Sequence, residues 1–193
     1  MRRRLERGDT IIEVTLAFAI FSIAAVTTIT LVNSGLATTQ RNLEITLVRQ
    51  QIDAQAEMLR HLSDTKDVTW ASLIDPASLV NNPSALADAC QPLGSITNGF
   101  YVKPVVSSDP VSTPTTYVRQ GLDATSFIKP NVYAKIDYAA GANRSEGIWI
   151  QASLAEQKVT SPVVAYDFYI HACWDSLGID TPMTLGTIVR IYE

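Results

Sequence analysis

An apolar run of 22 residues, Ile11 to Val32, constrains this chain most, because only Thr, Ser and one carboxylate, Glu13, interrupt it. As an α-helix the run would rise about 33 Å, at about 1.5 Å per residue, which is enough to cross a hydrocarbon core of about 30 Å. Four arginines precede it, and the next charge after Glu13 is Arg41. The positive-inside rule therefore predicts a cytoplasmic N-terminus, a single membrane span at 11–32 and an external domain after it.

A secretory signal peptide is an alternative, because Gly35-Leu36-Ala37 offers a small-x-small cleavage site after the apolar run. Cleavage there would leave a mature chain that begins near Thr38. The apolar regions of signal peptides usually span about 7 to 15 residues. The length of this run and its carboxylate therefore favour a membrane helix that is retained.

The charge of the chain is unevenly distributed. The formal net charge is -4, although residues 1–8 contain four Arg and one Glu. The remainder is thus more acidic than the whole, and this disfavours a general nucleic-acid surface, which needs clustered Lys and Arg. After the apolar run, enough chain remains for one globular domain of ordinary size.

An amphipathic helical pattern follows the apolar run from Leu36 to Leu62, and neither Pro nor Gly interrupts it. We therefore predict one helix over residues 9–62, with its membrane span at 11–32. Apolar residues recur along one side at helical spacing: Ile45, Val48, Ile52, Ala56 and Leu59. Charged residues occupy the other side: Arg41, Glu44, Arg49, Asp53, Glu57 and Arg60.

Residues 63–193 form the predicted external domain, with a connector at 63–99 and a β-sheet at 100–193. The connector is rich in Ser, Asp, Asn and Pro, and short helical pieces are predicted near 70–74 and 83–89. Beyond it, short β-branched and aromatic runs alternate with turn signals. The predicted strands are Phe100 to Val106, Thr116 to Arg119, Asn131 to Tyr138, Gly147 to Ala152, Val164 to Trp174 and Thr187 to Tyr192.

The strand from Val164 to Trp174 alternates most regularly. One side carries Tyr166, Phe168, Ile170, Ala172 and Trp174, and the other carries Asp167, Tyr169, His171 and Cys173. Such alternation predicts an antiparallel sheet with one buried face. The amphipathic helix is the element long enough to cover that face, so the predicted fold class is α+β, a long helix packed on a C-terminal antiparallel sheet.

Residues 1–35 resemble the N-termini of type IV pilins and pseudopilins. The members share a short basic leader, a Gly at the cleavage site, a glutamate five residues past the cut and a long apolar helix. Here the corresponding residues are the leader 1–8 ending at Gly8, then Asp9-Thr10-Ile11-Ile12-Glu13. The pilin-like architecture, a long N-terminal helix followed by an antiparallel sheet, matches the predicted fold.

The resemblance implies that a prepilin peptidase cuts between Gly8 and Asp9 while the apolar segment stays attached. That segment then anchors the subunit in the membrane and, after extraction by an ATPase-driven assembly machinery, enters the helical core of a filament. The family pattern includes N-methylation of the first residue after the cut. That residue is usually Phe and is Asp9 here, a second carboxylate beside the new amine.

Glu13 has two interpretations. In the family, the glutamate pairs with the α-amino group of a neighbouring subunit, which implies that the amine of Asp9 offsets the cost of burying this carboxylate. Thr10-Ile11-Ile12-Glu13 also fits a capping box, in which Glu13 accepts the N-cap amide at the start of the helix. The two roles are compatible.

The chain contains two cysteines, Cys90 and Cys173, and neither belongs to a metal-binding spacing. An external, oxidising compartment permits a disulfide between them. The alternative is two unpaired thiols, one of them buried as a small apolar group. We expect the disulfide.

Catalytic and metal-binding patterns are weak. The histidines His61 and His171 lie in no known catalytic motif and are interpreted as surface or packing residues. The spacing of Asp75, Asp175 and Asp180 does not form a Ca²⁺ loop. We predict no enzyme activity, cofactor or metal, and we assign the three tryptophans to packing rather than adhesion: Trp70, Trp149 and Trp174.

These patterns predict a structural subunit, major or minor, of a type IV pilus-like filament, first in the membrane and later on the cell surface. Its expected partners are other pilin subunits, the prepilin peptidase, the assembly machinery and the membrane. A pseudopilin of a type II secretion-like system is one alternative. A membrane-anchored external binding domain that does not polymerise is the other.

Overall fold

A computed structural model describes residues 10–84, 96–105, 116–130, 132–138, 144–157, 163–176 and 178–193. The chain divides into two compact units, residues 1–42 and residues 43–193. The helix α1 contributes to both units.

The helix α1 spans Thr10–Thr65, three residues beyond its predicted end. Helix-forming side chains fill it without a proline, and Gly35 is tolerated inside it. It ends where Lys66 adopts a left-handed backbone with φ 50°, which cannot continue a right-handed helix. A short second helix, α2, follows at Val68–Leu73, close to the piece predicted near 70–74.

In the described residues, eight strands follow α2. A five-stranded antiparallel sheet has the order β2-β1-β6-β7-β8, and a smaller sheet has the order β3-β5-β4 with β3 and β5 parallel. The strands are β1 Phe100–Val105, β2 Thr116–Gly121, β3 Phe127–Ile128, β4 Lys135–Asp137, β5 Arg144–Glu146, β6 Ile148–Gln157, β7 Val164–Trp174 and β8 Met183–Tyr192.

The predicted strands are found with altered lengths. β7 has the predicted bounds, whereas β6 and β8 are longer and the segment from Asn131 to Tyr138 contributes only β4. β3 and β5 were not predicted, because two or three residues are too few for a period-2 pattern to be recognised. The helical piece predicted near 83–89 lies mostly outside the described residues.

The main core lies between α1 and the inner face of the large sheet. Four of the five predicted apolar residues of the helix are buried in it and Ile45 packs against it, while Phe168, Ile170, Ala172 and Trp174 contribute from β7. The prediction of a long helix packed on an antiparallel sheet is therefore confirmed, and the fold class is α+β.

The prediction that only one face of the sheet is buried is wrong. On the outer face of β7, Asp167, His171 and Cys173 are each less than 9% exposed. Cys173 belongs to a second apolar cluster with Ile96, Phe127 and Trp149. Residues from β3 and from the chain just before β1 thus cover part of a face that period-2 alternation marks as polar.

Candidate functional site

The apolar segment of α1 is unusual because its large side chains are exposed in the structure. In residues 11–32, twelve large apolar side chains are each more than half exposed: Ile11, Ile12, Val14, Leu16, Phe18, Ile20, Phe21, Ile23, Val26, Ile29, Leu31 and Val32. By length and composition this part of α1 could cross a membrane, and none of its most apolar stretch is buried. Apolar surface of this extent normally meets lipid or another protein.

The hydroxyl groups of this segment are all bonded to the helix itself. Each side chain donates to a backbone carbonyl three or four residues earlier, as Thr15 does to Ile12 at 3.0 Å and Ser22 to Phe18 at 2.7 Å. Thr27, Thr28 and Thr30 repeat this bond. The segment can therefore enter an apolar medium without an unpaired hydroxyl donor, which would otherwise cost free energy.

Glu13 is the only charged side chain in residues 11–32, and it is exposed. It has no hydrogen-bond or ion-pair partner among the residues that the structure describes. The hydrogen bond that the capping-box interpretation predicts for Glu13 is therefore not found among them. The described part of the helix already includes Thr10, the residue that the capping-box interpretation places at the N-cap. Gly8 and Asp9, the predicted cleavage residues, lie outside the described residues.

A buried side-chain amide ties the second half of α1 to the sheet. Nε2 of Gln55 donates to the carbonyl of Val102 at 2.9 Å, and the N–H of Val102 donates to Oε1 of Gln55 at 2.8 Å. Both residues are fully buried, and β1 is in register with β6 only at Phe100 and Ile150. At Val102, β1 pairs with β2 but no longer with β6, and Gln55 bonds the backbone groups that β6 leaves unpaired.

Glu44 makes a second hydrogen bond between α1 and the sheet. Its predicted position on the solvent side of α1 is wrong. The residue is only 4% exposed, and its Oε2 accepts the indole N–H of Trp174 at 3.2 Å. Trp174 is the last residue of β7 and is fully buried. The bond therefore joins the helix to the end of the strand that it covers.

The histidines have packing environments. His171 is 7% exposed and its ring stacks on Trp149 with centroids 5.2 Å apart. Neither ring nitrogen has a partner among the described residues, and burial lowers the pKa of His171 to about 4. His61 lies edge-on to Tyr117 at 5.2 Å. Among the described residues, no catalytic group lies within hydrogen-bonding distance of either ring nitrogen of His171.

The three tryptophans and Cys173 lie in the interior. Trp70, Trp149 and Trp174 are at most 2% exposed, which confirms that they pack in the interior. Cys173 is buried, with 2% of its surface exposed. Cys90 lies outside the described residues, so a bond between the two cysteines stays a prediction.

The three aspartates whose spacing forms no Ca²⁺ loop are bonded to other groups or exposed. Asp75 accepts the N–H of Ala77 at 2.8 Å, and Asp175 lies 2.5 Å from the ammonium group of Lys129. Asp180 is exposed. Across the described ranges, no group of three or more His, Cys, Asp or Glu side chains could hold a metal ion.

Comparisons with protein-family models, with curated proteins and with solved structures find no match for this chain. The candidate site is therefore defined by its own residues: the exposed apolar surface at 11–32 and its single charge, Glu13.

Proposed function

We propose that this chain is a structural subunit, major or minor, of a type IV pilus-like surface filament. It is cleaved after Gly8 and assembles through packing of the apolar half of α1. One observation carries the proposal: an exposed helical surface in which every hydroxyl is bonded internally and one carboxylate, Glu13, has no described partner. The leader and Gly8, by their resemblance to prepilins, supply the rest of the argument.

The proposal gives the segment two successive environments. In the membrane, Glu13 lies near the end of the span and reaches the headgroups at low cost. In a filament core a lone carboxylate would cost several kcal/mol unless it is paired. Cleavage after Gly8 creates an α-amino group on Asp9, with a reference pKa of about 7.7 to 8.0, that can pair with Glu13 of the next subunit.

The first test is N-terminal sequencing of the protein recovered from the cell surface. We expect the sequence to begin at Asp9. A chain that begins at Met1 would support the anchored binding domain instead, and one that begins near Thr38 would support a signal peptide.

The second test measures incorporation into sheared surface fibres. We expect Glu13→Ala to abolish recovery in fibres while the amount in the membrane is unchanged, because anchoring does not need the carboxylate. Glu57→Ala is the matched control, since Glu57 is an exposed carboxylate of the same helix and pairs with Arg60. Normal incorporation of Glu13→Ala would contradict the pairing. Recovery only in a secretion complex, without surface fibres, would identify a pseudopilin.

A further inference from the structure

A groove lies between α1 and the edge strand β8, within residues 43–193. Its volume is about 180 Å³, and its lining comes from the helix and from the middle of the strand: Arg49, Ile52, Asp53, Leu185, Gly186 and Thr187. Ile52 is buried and forms the apolar floor, whereas Arg49 and Asp53 are exposed on the helix side. The groove therefore combines a strand edge, an apolar floor and one charge of each sign.

The strand β8 is an edge without the usual protection. It pairs with β7 over ten residues in unbroken register, and no described strand lies on its other side. Edge strands are commonly protected by Pro, Lys or a bulge, and β8 has none of these. Its single charge, Arg190, is held by Asp167 through two bonds of 2.7 and 2.8 Å. Its outer backbone groups are thus available to an added strand.

Arg49 and Asp53 have no hydrogen bond or ion pair with any described residue, although Glu57 and Arg60 on the same helix pair with each other. They are four residues apart, so they lie about 6 Å apart along the helix axis. Alternate residues of an extended strand are about 6.7 Å apart on one face. The two spacings match, so a strand that is added to β8 and runs along α1 would place two successive same-face side chains opposite these two charges.

We propose that this groove binds an extended peptide segment by strand addition to β8. The bound segment carries an acidic side chain opposite Arg49 and a basic side chain opposite Asp53, two positions apart. Backbone hydrogen bonds to β8 supply affinity, and the two charges select the segment and its direction. The inference does not depend on filament assembly, because the groove belongs to the external domain.

The test uses the full chain in detergent micelles and three fluorescent heptapeptides with valine at alternate positions. Two carry glutamate and lysine two positions apart in opposite orders, and the third carries glutamine at both positions. Fluorescence anisotropy should show saturable binding, with one charge order favoured over the glutamine peptide. An exposed ion pair changes affinity by about 1.4-fold to fivefold, so two pairs should give about twofold to 25-fold in total.

A charge exchange supplies the decisive variant. Arg49→Asp combined with Asp53→Arg should reverse the preferred order of the charged peptides, a result that a purely structural role would not give. The matched control is Glu57→Arg combined with Arg60→Glu, which exchanges an exposed pair on the same helix and should leave the preference unchanged. Circular dichroism verifies that both variants are folded.

Four outcomes would overturn the proposal. The first is absence of saturable binding by either charged peptide, and the second is equal binding of all three peptides. The third is a preference that the charge exchange does not alter. Concentration-dependent dimerisation that no peptide displaces would also overturn it, because the occupant of the β8 edge would then be a second copy of this chain.

Discussion

Single residues decide how the second half of α1 is held to the sheet. Gln55 and Glu44 are polar residues whose helical spacing places them on the apolar side of α1, since Gln55 is three residues after Ile52 and Glu44 is four before Val48. Their polar side chains, rather than their spacing, suggest solvent-facing positions. Their partners, Val102 and Trp174, lie 47 and 130 residues further along the chain. A polar side chain is stable in an interior only when such a partner is present. The sequence pattern alone could therefore not show that Gln55 and Glu44 are bonded to the sheet.

Replacement of Gln55 tests the two hydrogen bonds between Gln55 and Val102. Gln55→Leu keeps the volume but leaves the buried N–H and C=O of Val102 without partners, and each unsatisfied group costs about 1 to 3 kcal/mol. We expect the free energy of unfolding to fall by about 2 to 4 kcal/mol, measured by urea unfolding with tryptophan fluorescence. Gln50→Leu, an exposed position on the same helix, should change it by less than about 0.5 kcal/mol. Similar free energies of unfolding for the two variants would show that the bonds between Gln55 and Val102 do not stabilise the fold.

His171 makes stability depend on pH. Burial lowers its pKa to about 4, whereas an unfolded histidine has a pKa of about 6.5. The unfolded chain therefore binds more protons between these values, and the free energy of unfolding falls as the pH decreases from about 6.5 to about 4. The stability associated with neutral His171 is fully present above this window, and its loss is at most roughly 3 kcal/mol.

The measurement compares unfolding curves at pH 7 and pH 4.5. We expect His171→Phe, which keeps the stacking on Trp149, to lose less stability on acidification than the unmodified protein. His61→Phe is the control at an exposed position and should retain the full loss. An unchanged loss in His171→Phe would show that other groups cause it.

Among the elements, the turn between β5 and β6 lies close to the backbone of β7. Gly147 has φ +79° and accepts the N–H of Cys173 at 2.8 Å. A Cβ there would lie 2.2 Å from the carbonyl oxygen of Cys173 and 2.8 Å from Cδ of Pro130. This turn brings the small sheet against the outer face of β7, which explains why that face is buried despite its polar pattern.

Alanine substitution separates crowding from backbone strain. Gly178 has nearly the same φ, +78°, but a Cβ there would meet nothing within 4 Å. Gly178→Ala should therefore cost about 1 kcal/mol from the left-handed conformation alone. Gly147→Ala should cost about 3 kcal/mol or more, because backbone atoms must also move. Equal losses in urea unfolding would show that the close approach is relaxed at little cost.

At the scale of the whole molecule, the two proposals rest on two exposed surfaces. The apolar part of α1 is exposed, and no described strand pairs with the outer edge of β8 beside Arg49 and Asp53. The apolar surface of α1 can be predicted from composition, because a span-length apolar run is recognised without tertiary information. The groove beside β8 cannot be predicted in this way, since it exists only when a helix and a strand are brought side by side.

The expected Cys90 to Cys173 disulfide would also act on the whole domain. It would join the connector to β7 and stabilise by up to about 4 kcal/mol in the entropic account, because the loop that it closes is long. We expect alkylation in denaturant to label no thiol before reduction and two after it, as measured by mass spectrometry of exported protein. Cys90→Ser should expose one thiol at Cys173, and two reactive thiols without reduction would disprove the bond.

The sequence by itself determined the apolar span, the amphipathic continuation of the helix and the strand β7, because each is a local periodic pattern whose physical cause acts within a few residues. The long helix packed on an antiparallel sheet followed from those patterns. Only the tertiary structure decided that both faces of β7 are covered, that Glu44 and Gln55 point inward and that α1 and β8 enclose a groove. These features depend on contacts between distant segments, and the stability of a polar or charged side chain depends on which partner such contacts supply.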